Sequence, residues 1–172
     1  MDKKCESGNL ENKSCLEELK KDYLIIQKKY SLPSFEEFNE DFQIEKLAEI
    51  ETDFLIREIR KFIAEKFSTY LRFIEAILNP VNSAIFIFAI IKTLENKDKE
   101  KLSEIYKKLA KKEVEILELD IQFSEEKEVE FIKNSYKIWK EIKNELLEIV
   151  EVINNNWDKE VEIVKKGKGY FG

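Results

Sequence analysis

The chain contains no histidine. With it go the commonest general base and the commonest metal ligand of proteins. Ser-His-Asp and Cys-His nucleophilic catalysis cannot be assembled from this chain alone, and neither can Glu-x-x-His di-iron sites or Cys/His zinc sites. Cysteine is nearly as scarce. Cys5 and Cys15 stand in a polar N-terminal segment, at a spacing that fits no two-residue zinc or redox hook, so they read as reduced thiols. The four glycines are Gly8, Gly167, Gly169 and Gly172, which leaves residues 9–166 with none, and the two prolines are Pro33 and Pro80. Sheet proteins draw heavily on glycine and proline for their turns, so this deficit points to helices. The longest uninterrupted apolar run, residues 84–91, has eight residues, where a membrane span needs about 20. The first residues show no apolar core after their charges, so no secretory leader is expected. No repeat at solenoid spacing is present. The expectation is a soluble, cytoplasmic protein without a membrane partner.

What is present fits one domain: 172 residues, a length that buries roughly 70% of the surface its unfolded chain exposes. Hydrophobic residues make up 43% and charged residues 38%, too apolar for disorder and too charged for a membrane protein. The 36 acids outnumber the 30 bases, for a net charge of −6. Proteins that wrap DNA are usually basic, so no DNA partner is expected, although a local basic patch remains open. The expected fold is an all-α, single-domain helical bundle of five or six helices, with a long central helix and a long C-terminal helix. Residues 1–13 would form a flexible polar N-terminus, 14–164 the bundle and 165–172 a basic, glycine- and aromatic-containing tail.

Helix starts are legible as capping boxes, in which a serine accepts from a backbone N–H and a glutamate three residues on reaches back. Ser14-Cys15-Leu16-Glu17 is one, followed by the stripe Leu16, Leu19, Tyr23, Ile26 and Tyr30. Ser34-Phe35-Glu36-Glu37 is a second, placed just after Pro33. A long helix is expected from about Ile44 to Leu78, with a possible break near Thr52-Asp53 and an end at Asn79-Pro80. Its apolar positions, from Leu55 through Ile77, cover about half the circumference, so it reads as the spine of the fold. The spine is expected to run antiparallel to the last helix. Residues 84–91 suit a strand by composition, but no partner strand is evident. A short helix is therefore the reading, buried all round or capping an interface. A further helix spans about Lys99 to Leu119, and Leu117, Leu119, Ile121 and Phe123 then alternate with polar residues as an extended bend would. Ser124 caps the last helix, whose apolar positions continue to Trp157.

Candidate sites follow from residue types. Phe35 and Phe38 sit at a helix start among acids, and Trp157 lies beyond the dense part of its stripe. Tyr170 and Phe171 end a basic tail. These five are the candidate partner-binding residues. All three arginines, Arg57, Arg60 and Arg72, fall within sixteen residues of the spine. Arg57, Lys61 and Arg72, with Lys165, Lys166 and Lys168, form the candidate anion- or RNA-binding set. Asp53 and Glu75 are spaced to pair with Arg57 and Arg72, and Arg60, at the border of the apolar arc, suits an internal ion pair. Lys66 falls inside that arc, where its stem can lie along apolar surface. No catalytic, metal or cofactor-binding residue is assigned, and no cofactor is expected. The leading expectation is a non-enzymatic interaction or scaffold protein that binds a protein partner or itself. Next comes a factor bound to RNA or the ribosome, and third a carboxylate-metal hydrolase.

Overall fold

The computed structural model describes residues 9–50 and 52–166, with side chains described for 14–50 and 52–157. All regular structure among these residues is helical, which establishes the all-α class. Six α-helices follow in order: α1 (Asn9–Tyr30), α2 (Phe35–Phe42), α3 (Leu55–Leu78), α4 (Ile85–Thr93), α5 (Asn96–Ile121) and α6 (Glu125–Lys166). A 3₁₀ helix over Ile44–Glu49 lies between α2 and α3. The long central helix is thus shorter at its start than expected, beginning at Leu55. The described chain forms two compact units. One comprises the residues up to Lys66 together with Glu115–Ser135, the other Phe67–Val114 together with the residues from Tyr136 on.

The scarcity of glycine leaves its mark on the helix ends. A residue just past a helix commonly takes the left-handed conformation that glycine tolerates best. Here Ser31 (φ 53°) and Gln43 (φ 54°) take it instead, and Asn82 (φ 62°) takes it in the loop between α3 and α4. After α1 the Leu32 N–H bonds the Gln27 carbonyl at 3.2 Å, and after α2 the Gln43 N–H bonds that of Asn39 at 2.8 Å. The chain turns without glycine, at some cost in backbone strain.

In the first unit α1 packs on α2 and on the 3₁₀ helix. The capping box at Ser34 forms as read. The Ser34 hydroxyl accepts from the Glu37 N–H at 3.2 Å, and Glu37 accepts from the Ser34 N–H at 3.1 Å. Phe35, Phe38 and Phe42 then turn inward beneath Tyr23 of α1 and are buried. The Ser14 box does not cap: α1 already begins at Asn9 and runs through it. Lys66 behaves as its position suggests, its ammonium donating to the Asp41 carbonyl and lying 5.2 Å from the Phe42 ring centre.

The hairpin between α5 and α6 also belongs to this unit. Ser124 caps α6 by accepting from the Lys127 N–H at 3.3 Å. Residues 117–121 are helical, not extended. Leu119 is buried, while Leu117 and Ile121, one turn apart, are exposed, so two outward apolar residues produced the two-residue alternation. Arg57 of α3 lies over Phe123, just past α5, and Arg60, one turn on, reaches back to Asp120. α3 therefore runs against the end of α5, α6 folds back along α5 with Lys127 at Glu118, and α3 and the start of α6 run parallel. The expected antiparallel pairing fails because α5 is a long return helix between them.

In the second unit α5 and α6 are antiparallel, joined by Lys101–Glu148 (2.7 Å) and Lys108–Glu141 (3.2 Å). Trp139 is core, stacked on Tyr70 with ring centres 5.5 Å apart and 6.5 Å from Phe67. Burial there pushes the Tyr70 hydroxyl above the usual phenol range. The run 84–91 is helical as read, but it is not buried all round. Ile87 and Ile90 point inward, whereas Ile85 is 89% exposed and Phe86 and Phe88 are exposed beside it. The Asn154–Asn156 run does not break α6, and Asn156 donates to the Thr93 carbonyl at the end of α4 at 3.2 Å. No helix among the described residues is long and apolar enough to cross a membrane.

Candidate interaction surface

The first turn of α3 builds the site. The Thr52 hydroxyl accepts from the Phe54 N–H at 3.0 Å, a local turn that Ser and Thr favour before a helix. The Phe54 carbonyl then takes the first helical bond, from Glu58, at 3.2 Å. This places Phe54 at the helix mouth and Arg57 one turn in. The Arg57 guanidinium lies 4.0 Å from the Phe123 ring centre and 5.4 Å from that of Phe54. A cation held between two aromatic faces is attracted by both ring quadrupoles.

Behind Arg57 sits Glu128 of α6, whose side chain is only 1% exposed. A buried carboxylate is strongly destabilising unless cations face it. Two do: Arg57 Nε at 3.6 Å and Arg60 Nε at 3.5 Å, and Arg60 also reaches Asp120 at 2.9 Å. Neither Arg60 Nε nor Glu128 Oε1 attains hydrogen-bond geometry, so that contact is coulombic. The internal ion pair expected for Arg60 is present. Arg57 pairs with this distant acid rather than with Asp53 four residues before it.

In front of Arg57 lies a cleft of about 330 Å³ that opens to solvent. Ile25, Phe54 and Phe123 give it apolar walls and are 65%, 59% and 54% exposed. Asp22 and Asp53 stand exposed among its lining residues, and Glu125 also belongs to it. Glu125 is held by Tyr30, whose hydroxyl donates to it, and by Lys29 at 3.3 Å. Those two contacts, the Tyr30 hydrogen bond first, hold its carboxyl below the usual range. The arrangement offers two fixed rings, a fixed guanidinium and an acidic border, the composition of a binding surface.

The candidate residues are distributed otherwise than expected. Phe35 and Phe38 are core residues and offer no docking surface, because Tyr23 covers both. Trp157 is half-buried on α6. Lys61 is ion-paired with Glu58 at 2.9 Å. Arg57 and Lys61 belong to the first unit and Arg72, exposed, to the second. Lys165 and Lys166 end α6 with side chains outside the described residues, and Lys168, Tyr170 and Phe171 lie wholly outside them, as does Cys5. Cys15 is half-buried. Sequence reasoning passed over Ile25, Phe54 and Phe123 as surface residues. One signal was available for Ile25, which falls off the stripe of its own helix.

Among the described residues no three acids or cysteines come close enough to hold a metal ion. Comparison with family models, with curated proteins and with solved structures gives no match.

Proposed function

We propose that this chain is a non-enzymatic interaction protein that docks a protein partner on the Phe54–Arg57–Phe123 cleft. The observation that carries the reading is the clamp itself: two half-exposed rings around a guanidinium that a buried carboxylate holds from behind. Aromatic residues and arginine dominate interface hot spots. Side chains already held in place lose little conformational freedom on binding. A contiguous exposed apolar surface rimmed by charge is the usual form of such a site.

The test is affinity purification with the wild-type chain and with Phe54→Ala/Phe123→Ala. A partner retained by the first and lost by the second supports the reading. The control is Ile85→Ala/Phe86→Ala, which alters exposed apolar residues of the other unit. Equal retention by both double variants and the wild type sinks it. A role on RNA or the ribosome has less to stand on, because Arg57 and Lys61 already face acids and the cleft border is acidic.

A further inference from the structure

The charge and shape of the cleft point to one occupant: we infer that it takes the C-terminal segment 165–172 of a second copy of this chain. The inference rests on the reading of the cleft as a docking surface and names what docks there. Four acids and a single arginine line the cleft. Two of the acids are already matched within the unit, Glu128 by the arginines and Glu125 by Lys29 and Tyr30. Asp22 and Asp53 remain exposed at the border. An incoming segment that satisfies them carries positive charge beside an apolar or aromatic group for the walls.

Residues 165–172 have that composition. Lys165, Lys166 and Lys168 bring three positive charges and no acid, and Tyr170 and Phe171 follow after Gly169. Lysines also adjoin aromatics without an intervening acid at 28–30, 61–62, 66–67, 106–108 and 133–140, but those stretches lie within α1, α3, α5 and α6. The cleft volume of about 330 Å³ lies at the small end of binding pockets, roughly 300–1,000 Å³, which suits one or two aromatic side chains. Such a contact joins different surfaces of the two copies, so it builds chains or rings, or closes as a two-fold dimer when two copies exchange segments reciprocally.

The test uses the full chain and two variants. One alters the cleft, Phe54→Ala/Phe123→Ala. The other alters the segment: Lys165→Gln/Lys166→Gln/Lys168→Gln/Tyr170→Ala/Phe171→Ala. Circular dichroism and melting temperature verify that both fold. Light scattering over a range of concentrations should show the wild type rising above the chain mass of 20.5 kDa, with nuclease treatment making no difference. Each variant alone should remain at the chain mass. An equimolar mixture should form a complex of about 41 kDa, twice the chain mass, because each contributes the intact half the other lacks. Single Phe54→Ala should weaken association roughly 30-fold, and raising salt should weaken it further.

A wild type that stays at the chain mass at every concentration overturns the inference, as does association abolished by nuclease. If the segment variant associates like the wild type while the cleft variant does not, the cleft docks something else and only this occupant fails. If both variants associate like the wild type, the docking reading of the cleft fails with it.

Discussion

At the start of α2, Ser34 caps the helix and Phe35 and Phe38 turn into the core. At the start of α3, Thr52 fixes the turn and Phe54 stays in solvent. Both starts place a small hydroxyl residue shortly before a phenylalanine, and both lie in the same unit. The difference lies in what comes over each ring. Tyr23 of α1 meets Phe35 edge-on at 5.4 Å and Phe38 at 6.4 Å. Phe54 instead meets Arg57, which Glu128 holds by its buried side chain. A local cap decides where a helix begins. It does not decide whether the ring beside it becomes core or surface, because that depends on an element distant in sequence.

The comparison breaks most readily at the rings themselves. Phe38→Ala should lower stability by about 4 kcal/mol, the cost of a large buried side chain replaced by a cavity. Phe54→Ala should change it by less than about 0.5 kcal/mol, as exposed substitutions do. Urea unfolding of the two variants measures both, and similar losses would erase the distinction. Next in size is the support behind Arg57. Glu128→Gln should cost about 2 kcal/mol, since it removes the buried charge partner of Arg57 and Arg60 and leaves the Arg60 guanidinium with Asp120 alone. A midpoint equal to that of the wild type would show that the pair does not hold the clamp.

The caps sharpen the comparison with smaller effects. Ser34→Ala should cost about 1 kcal/mol, and Thr52→Ala less than half of that, because its bond makes a turn rather than a full capping box. At the other end of α2, Gln43→Gly should stabilise by roughly 0.5–1 kcal/mol, relieving a left-handed residue that carries a Cβ. Thermal melts of all three order the effects.

The smallest effect concerns Glu125, beside the cleft. Its carboxyl lies below the usual range through Tyr30 and Lys29. The sign follows: the contact contributes stability above the ordinary carboxylate range and loses it as pH falls through the lowered folded value. Tyr30→Phe should flatten that acid-side slope slightly in melts taken between pH 6 and about pH 2. A slope unchanged in the variant would remove Tyr30 as its cause.

Much of this was legible from residue order. The gap in glycine from 9 to 166 foretold helices, since helices use it least, and the all-α class follows. The box at Ser34 and the cap at Ser124 were readable because a cap is made by residues within one turn of each other. The Ser14 box misled for the same reason: the motif marks a possible start, and nothing local prevents a helix from beginning earlier. The break before Leu55 was signalled by Thr52-Asp53, but the 3₁₀ helix over Ile44–Glu49 was not, because its residues are as apolar and periodic as those of α3.

The candidate surface was less legible. Arg57 was singled out, but as one of a basic set. Its actual partners, Phe123 and Glu128, stand more than sixty residues away in sequence, and no periodicity reports a contact at that range. The sequence by itself determined the helical class, two helix caps and the absence of histidine chemistry, all of which follow from composition or from neighbours within a turn. Only the tertiary structure decided that Phe35 and Phe38 are core and that Phe54 and Phe123 are surface. A side chain's burial is set by whichever helix returns to cover it, and that return is a property of the packed chain.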